Sequence, residues 1–224
     1  MSSLDFVITG TGRSGTGYLS RLLSMLDVPC GHEKIFHPFL RGDILGCSNN
    51  NFVGDSSWLA APLLEQLPER TWVFHQVRHP IEVARSFLGI GFFDKNPSAS
   101  HSPYLEFVRR HQSFDGIMDE FERFMFHWVC WNQMVETKTK TIGLNYHRIK
   151  LEDMDAESIN MRLLSKIGRL SPIQKIQKAQ TALGSITNSR IRRGEISCDN
   201  LPKGEIFDRF WALAIEYGYD IGAI

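Results

Sequence analysis

Glycines, hydroxyl-bearing residues and an arginine lie close together near the N-terminus, at a spacing suited to anion binding. Residues 10–17 read GTGRSGTG. The glycines allow backbone N–H groups to approach a bound anion closely, while Ser14 and Thr16 add hydroxyls and Arg13 adds a charged donor. The residues predicted to contact the anion are Gly12, Arg13, Ser14, Gly15, Thr16 and Gly17.

The residues on either side of this loop predict the elements that position it. Residues 5–9 (DFVIT) have the composition of a buried strand, and leucines at helical spacing in residues 16–26 indicate a helix. A helix N-terminus presents unpaired N–H groups and a favourable dipole to an anion. Strand, loop and helix in this order predict a phosphate-binding loop and the first unit of an α/β fold.

The loop departs from the Walker A motif of kinases and ATPases. That motif reads G-x-x-x-x-G-K-[ST], and its lysine and hydroxyl serve the phosphates and Mg²⁺. Gly10 and Gly15 match the two glycines. Thr16, however, stands at the lysine position, and Gly17 stands at the hydroxyl position. These departures argue against a magnesium-dependent phosphotransferase.

The glycine spacing also fits the G-x-G-x-x-G motif of dinucleotide-binding folds, through Gly10, Gly12 and Gly15. That motif requires an acidic residue about 20 residues further on, at the end of the second strand. Asp27 and Glu33 are poorly placed for this role. The loop on its own therefore leaves the kind of nucleotide open.

A second segment, residues 77–87 (VRHPIEVARSF), carries an independent phosphate-binding pattern. Residues 71–77 predict a strand, and Pro80 suits the first turn of a following helix. Arg78 therefore ends a strand, where a guanidinium can bind a phosphate through two hydrogen bonds. Ser86, eight positions after Arg78, adds a hydroxyl within the helix.

Together these segments resemble the 5′-phosphosulfate loop and the 3′-phosphate segment of sulfotransferases that use 3′-phosphoadenosine 5′-phosphosulfate (PAPS). Residues 149–154 (IKLEDM) are similar to a stretch that follows a later strand in that family. The resemblance covers residues 1–155 and thins beyond them. It implies sulfuryl transfer from PAPS to an acceptor hydroxyl, with 3′-phosphoadenosine 5′-phosphate (PAP) as the product. The family uses no metal, which accounts for the missing Walker A residues.

The resemblance also implies catalytic roles, with more than one candidate for the general base. Arg13 matches the basic residue of the family's loop, which stabilises charge on the departing phosphate. Glu33 lies where carbohydrate-type and related bacterial enzymes supply the general base. Cytosolic aryl-type enzymes use a histidine instead, which leaves His32 as a competing base and His75 as a weaker one. The implied acceptor is a small molecule or a carbohydrate.

Two other segments are predicted to complete the site. Residues 55–58 (DSSW) precede the 71–77 strand and are predicted to line the acceptor cleft. By the same resemblance, Arg192 and Arg193, together with Arg190, are expected to close over the cofactor phosphates from a late loop. Solvated surface charge is the alternative reading of these arginines.

The composition predicts one globular domain over residues 1–224. Hydrophobic residues make up 42% of the chain and the formal net charge at pH 7 is zero, which argues against a nucleic-acid-binding surface. Apolar runs stay short of the ~18 residues of a membrane span, and residues 1–5 lack the basic start of a signal peptide. We therefore expect a cytoplasmic protein with reduced cysteines and no metal site. The cysteines are Cys30, Cys47, Cys130 and Cys198.

The rest of the chain predicts further strands and helices around a parallel sheet. A third strand is expected over residues 141–146, and one or two aromatic-rich helices over residues 104–135. The other predicted helices cover residues 57–67, 80–87, 156–167 and 205–217. Aromatic residues at helical spacing are expected in the core, namely Phe121, Phe124, Trp128 and Trp131. The predicted fold class is a three-layer α/β sandwich with a central, mostly parallel β-sheet.

Two alternatives to a sulfotransferase remain open at this point. A P-loop kinase for a nucleotide or small molecule would require Mg²⁺–ATP binding, against which Thr16 and Gly17 argue. A non-catalytic homologue would bind PAP and transfer nothing. The sequence retains Arg13, Glu33, Arg78 and Ser86, which disfavours that loss of activity.

Overall fold

A five-stranded parallel β-sheet forms the centre of the fold. The computed structural model describes residues 4–37, 51–187 and 201–220. Every strand pair is parallel, and the strand order is β2-β3-β1-β4-β5. The strands are β1 (Phe6–Thr9), β2 (Cys30–His32), β3 (Gly54–Ser56), β4 (Trp72–Val77) and β5 (Asn145–Lys150).

Helices flank this sheet, so the prediction of an α/β fold is confirmed, and the arrangement is consistent with a three-layer sandwich. The α-helices are α1 (Thr16–Met25), α2 (Pro80–Leu88), α3 (Ser102–His111), α4 (Glu120–Ile142), α5 (Ala156–Ser158), α6 (Ile173–Thr187) and α7 (Glu205–Glu216). The other helical segments are the 3₁₀ segments Trp58–Gln66 and Leu151–Asp153 and the π-helix Ile159–Leu164.

The chain divides into two compact units. The first comprises Met1–Val77 and Met134–Arg190 and contains all five strands. The second comprises Arg78–Gln133 and Ile191–Ile224. The prediction of a single domain over residues 1–224 stays a prediction.

One face of the sheet packs on α1, α6 and residues 156–164. Alternation along the strands directs Phe6, Ile8 and Phe74 to this face, where they join a buried apolar cluster. The helices contribute leucine and isoleucine at helical spacing, and most of these side chains have no exposed surface. Helical contributors to this cluster are Leu19, Leu22, Leu23, Ile159, Leu163, Leu164, Ile176 and Leu183.

The opposite face of the sheet carries polar side chains that reach α4. The buried His75 of β4 lies with Nδ1 2.9 Å from the Tyr146 hydroxyl and 3.8 Å from Glu136 Oε1. Arg148 of β5 donates to the same carboxylate at 3.0 Å. Glu136 belongs to the C-terminal part of α4, so these contacts fix that part of the helix over β4 and β5.

The second unit has a core of aromatic rings. The prediction that four aromatic residues lie in the core is confirmed for three of them. Phe124, Trp128 and Trp131 have no exposed surface. Phe121 is only partly buried and contacts Phe124 edge-on. Phe210 of α7 packs against both Phe124 and Trp128 within this unit.

Some boundaries differ from the sequence-based expectations. The strand predicted over residues 141–146 is wrong in position, because α4 continues to Ile142 and ends at Gly143, which has a φ of 74°. The helix predicted over 57–67 is a 3₁₀ segment that contains Pro62, whose ring prevents regular α-helical bonding. Strand β3 and helix α6 were not predicted. No described helix has the length and apolarity that crossing a bilayer requires.

Gly54 provides a test of the packing between β3 and β1. A Cβ at Gly54 would collide with the Phe6 ring, which has no exposed surface. We expect Gly54→Ala to lower the free energy of unfolding by about 1–3 kcal/mol, the usual cost of overpacking a core. Urea unfolding monitored by circular dichroism measures this change.

Gly184→Ala is the matched control, since Gly184 lies in α6 and a Cβ there meets nothing within 4 Å. It should leave stability unchanged or raise it by up to about 1 kcal/mol, because alanine is the better helix former. Equal unfolding midpoints for the two variants would contradict the packing described for Phe6.

Candidate anion-binding and acid–base site

The loop after β1 offers backbone donors at the positive end of a helix. Gly15 is the N-cap of α1 with φ 102° and ψ 16°, in the left-handed region that glycine adopts without strain. A Cβ there would lie 2.8 Å from Leu151 Cδ2. The N–H groups of Gly15, Thr16 and Gly17 find no acceptor within the described part of the chain. Three donors and the helix dipole are therefore available to an anion.

A buried amide holds the loop in this shape. The Gln76 side chain of β4 donates from Nε2 to the Ser14 carbonyl oxygen at 3.0 Å. The Ser14 hydroxyl donates to the Thr11 carbonyl oxygen at 2.7 Å, and both side chains are fully buried. In this structure Ser14 therefore uses its hydroxyl proton to close the loop.

Two ionisable side chains lie at the same edge of the sheet as the loop. The His32 ring lies against Gly17, and its Nε2 is 3.5 Å from Thr16 Oγ1. Glu33 follows β2 directly and donates its backbone N–H to the Ser56 carbonyl oxygen at 3.2 Å. The carboxyl ends of parallel strands meet at one edge, which is why residues after β1, β2 and β3 come together.

Glu33 and Arg13 both occupy the left-handed backbone region, with φ of 56° and 68°. Outside glycine this region is sparsely populated and costs about 1–3 kcal/mol per residue. Such strained backbone persists only where the surroundings hold it. These two residues, one in the loop and one after β2, are among those to which the resemblance gives catalytic roles, whereas Asp27, with a φ of 62°, has the same conformation and no predicted role.

The Glu33 carboxylate lies in a partly buried, mixed-charge environment. Its side chain is 17% exposed, whereas that of His32 is 45% exposed, and Glu33 Oε1 lies 3.9 Å from His32 Nε2. Burial raises the pKa of Glu33 above its ordinary value, and the Asp55 carboxylate raises it further. A hydrogen bond from the Trp58 indole and the charge of Arg13 act in the opposite direction. The net result is a carboxyl group with a raised pKa, which makes it a stronger base than an ordinary glutamate side chain.

Asp55 lies behind Glu33 as a fully buried carboxylate of β3. It accepts the backbone N–H groups of Lys34 and Ile35, each at 3.2 Å. Burial raises the pKa of Asp55 to about 6, although these hydrogen bonds and the Lys34 charge lower it. The carboxylate thus plays the part of an N-terminal cap for the turn that follows β2.

Gln76 and the capping role of Asp55 were not foreseen from the sequence. The structure places Asp55 and Trp58 of residues 55–58 next to Glu33, and the prediction that this segment lines an acceptor cleft stays a prediction. A signal for Gln76 existed, because it is an uncharged polar residue, next to His75, near the end of a strand that is otherwise apolar. No local pattern shows that Asp55 reaches the backbone of residues 34 and 35, because 20 residues separate the partners in the chain.

His75, the weaker base candidate, has partners of its own on the opposite side of β4 from Gln76. It is fully buried, and its Nδ1 lies 2.9 Å from the Tyr146 hydroxyl. Successive residues of a strand point to opposite faces, which separates His75 from the buried amide under the loop.

Arg78 and Ser86 belong to the second unit. Arg78 pairs with Glu82 at 3.4 Å, and Glu82 also pairs with Arg85 in the next turn of α2. Ser86 is half-buried, one turn beyond Glu82. Glu82 is therefore an anionic partner shared by Arg78 and Arg85. Arg190, Arg192 and Arg193 lie outside the described residues.

Comparison with known proteins assigns no family to the chain. No protein-family model matches it, and no curated protein sequence matches it either. Across residues 4–37, 51–187 and 201–220, no three His, Cys, Asp or Glu side chains group together in a way that could hold a metal ion.

The charges around His32 allow a direct test of the site's electrostatics. Burial lowers the pKa of His32, and the nearby Arg21 and Lys34 charges lower it further. We expect His32 to titrate below 6.5 and to be neutral at pH 7, and we expect Arg21→Ala to raise its pKa. The measurement is a pH titration of the histidine Cε1–H signals by NMR, with His32→Gln for assignment.

The matched control is Arg70→Ala, because the exposed Arg70 precedes β4 at the opposite edge of the sheet. It should leave the His32 titration unchanged. A His32 pKa at or above 6.5 in the unmodified protein would contradict the position of the partly exposed ring against Gly17 of α1.

Proposed function

We propose that this chain is a sulfotransferase that moves a sulfuryl group from PAPS to an acceptor hydroxyl. The observation that carries the proposal is the juxtaposition of an anion-binding loop with the Glu33 carboxyl, whose pKa is raised. A loop that only bound phosphate would need no partly buried carboxylate beside it. Group transfer to a hydroxyl needs both an anion cradle and a base.

The residues of the loop fit the 5′ end of such a nucleotide. Three backbone donors at the start of α1 suit phosphate or sulfate oxygens, and the Arg13 guanidinium adds a positive charge. PAPS supplies an activated sulfuryl group when bound. Because Thr16 and Gly17 replace the Walker A lysine and hydroxyl, the chain lacks the residues that hold Mg²⁺–ATP.

For the 3′ end of the nucleotide, the proposal rests on the motif in residues 77–87. Arg78 and Ser86 are proposed to bind the 3′-phosphate, as the resemblance implies. Arg192 and Arg193 are proposed to add charge over the phosphates. Arg78 already pairs with Glu82, so a phosphate would replace one anionic partner by another.

Glu33 is proposed as the general base that takes the proton from the acceptor hydroxyl. Its raised pKa brings its basicity closer to that required at neutral pH, and the Trp58 indole orients the carboxylate through a hydrogen bond. Arg13 stabilises negative charge that develops on the phosphate side. His32 is the competing base, since its lowered pKa keeps the ring neutral and able to accept a proton.

The proposed acceptor is a hydroxyl of a small molecule or a carbohydrate, and the proposed compartment is the cytoplasm. The compartment is supported by Cys30 and Cys130, which are both free thiols. A panel of hydroxyl acceptors incubated with sulfur-labelled PAPS would identify the acceptor.

Nucleotide binding tests the cofactor assignment. We expect calorimetry to show PAP binding that is equal with and without Mg²⁺. Arg13→Ala and Arg78→Ala should each weaken it by about 10- to 100-fold, because a charge-assisted hydrogen bond to phosphate contributes about 1.5–3 kcal/mol. Arg70→Ala is the matched control and should change nothing. Tighter binding of Mg²⁺–ATP than of PAP would favour a phosphotransferase and refute the proposal.

Substitution of Glu33 tests the base. Glu33→Gln keeps an oxygen that can accept from the Trp58 indole but removes the ability to take a proton. The transfer rate should fall by about 10²–10⁴-fold while the Kd for PAP is unchanged. Glu69→Gln, at an exposed position of the same unit, is the control. If Glu33→Gln turns over as fast as the unmodified protein, Glu33 is not the base and His32 becomes the candidate.

A further inference from the structure

Asp55 and the turn after β2 form a buried unit separate from the anion-binding loop. The Asp55 carboxylate accepts from Lys34 N at 3.2 Å through Oδ1 and from Ile35 N at 3.2 Å through Oδ2. The same turn is closed by the His37 N–H, which donates to the Glu33 carbonyl oxygen at 3.3 Å. Both oxygens of one carboxylate thus hold the two residues that directly follow Glu33.

The packing around Asp55 leaves this carboxylate little freedom. Strand pairing places Asp55 opposite Gly31, and a Cβ at Gly31 would collide with Asp55 Oδ1. The Asp55 side chain has no exposed surface. Two constraints hold the Glu33 backbone. Its N–H donates to the Ser56 carbonyl oxygen, and the turn that follows it is capped by Asp55. Between them Glu33 adopts the left-handed conformation, with a φ of 56°.

We propose that Asp55 is the positioning residue of Glu33: its carboxylate fixes the backbone turn that aims Glu33 and places a second negative charge beside it. The proposal rests on the proposed function for the role of Glu33 as the base. The hydrogen bonds that Asp55 accepts come from the backbone of Lys34 and Ile35, so its proposed action on the reaction is through Glu33.

The charges that face these two carboxylates come from several elements. Asp55 raises the pKa of Glu33, and Arg13 from the loop lowers it, while His32 lies 3.9 Å away. Asp55 itself faces the Lys34 charge and the buried Cys30 thiol of β2. Wherever Asp55 is ionised, its charge opposes ionisation of Glu33, so we expect loss of that charge to lower the pKa of Glu33.

The experiment is a carboxyl ¹³C NMR titration of Glu33 in the unmodified protein and in Asp55→Asn. Asparagine keeps the shape and one acceptor oxygen but removes the charge. We expect the pKa of Glu33 to fall in Asp55→Asn and to stay unchanged in Asp5→Asn, an exposed acid of the same unit. Glu33→Gln assigns the signal. An unchanged Glu33 pKa in Asp55→Asn overturns the proposal.

A second measurement needs no variant and decides the proposal if Asp55→Asn fails to fold. Protonation weakens a carboxylate as an acceptor, and the pKa of Asp55 is about 6. The hydrogen-exchange protection of the Lys34 and Ile35 amides should therefore fall as the pH drops through about 6. The Glu33 amide, bonded to Ser56, is the internal control and should not change. Protection of residues 34 and 35 that does not depend on pH overturns the proposal.

Activity data separate this inference from the proposed function. In Asp55→Asn the transfer rate should fall by about 10²-fold, the loss typical of a reacting group displaced by about 1 Å, while the Kd for PAP stays within about twofold. If the unmodified protein binds no PAP, the sulfotransferase proposal fails. The titration and the exchange experiment still decide whether Asp55 positions Glu33.

Discussion

The hydrogen bond from Gln76 to the Ser14 carbonyl oxygen is the constraint that holds the glycine-rich loop, residues 10–17, in its shape. It joins the end of β4 to the loop after β1, and it is fully buried, so water does not compete for either partner. With Ser14 fixed, its hydroxyl closes the loop on Thr11, and Gly15 begins α1 in the left-handed conformation. The backbone donors at the start of α1 thereby keep their positions before any ligand arrives, which is what preorganised electrostatic stabilisation requires.

A second constraint governs the acidic side of the site. Two carboxylates, Glu33 and Asp55, lie close enough to raise each other's free energy when both are charged. The cost is offset by backbone N–H groups on Asp55 and by Arg13 and the Trp58 indole on Glu33. The different partners give the two groups different uses. Asp55 is committed to the backbone, and Glu33 keeps a partly exposed carboxyl that can exchange a proton.

Agreement between sequence and structure is best where the signal is local. The β1 strand, the loop and α1 were predictable because strand composition, glycine spacing and leucine periodicity lie within two dozen residues. Strand β3 was missed since its three residues, GDS, carry no apolar alternation. The error in the position of the third predicted strand had a different cause. Helix α4 continues to Ile142, through residues where that strand was expected to begin, and β5 starts only at Asn145. Helix propensity and packing outweighed the β-branched residues there.

The sequence by itself indicated the parallel α/β class and a glycine-rich loop between a strand and a helix, because each follows from residue types at short spacing. The choice of Glu33 as the candidate base came from the resemblance to sulfotransferases. Tertiary structure alone decided what surrounds that base. The partners of Glu33 come from the loop, from β3 and from the segment after β3, and the amide under the loop comes from β4. Parallel pairing of strands far apart in the chain sets these distances, and pKa values follow from such distances and from burial.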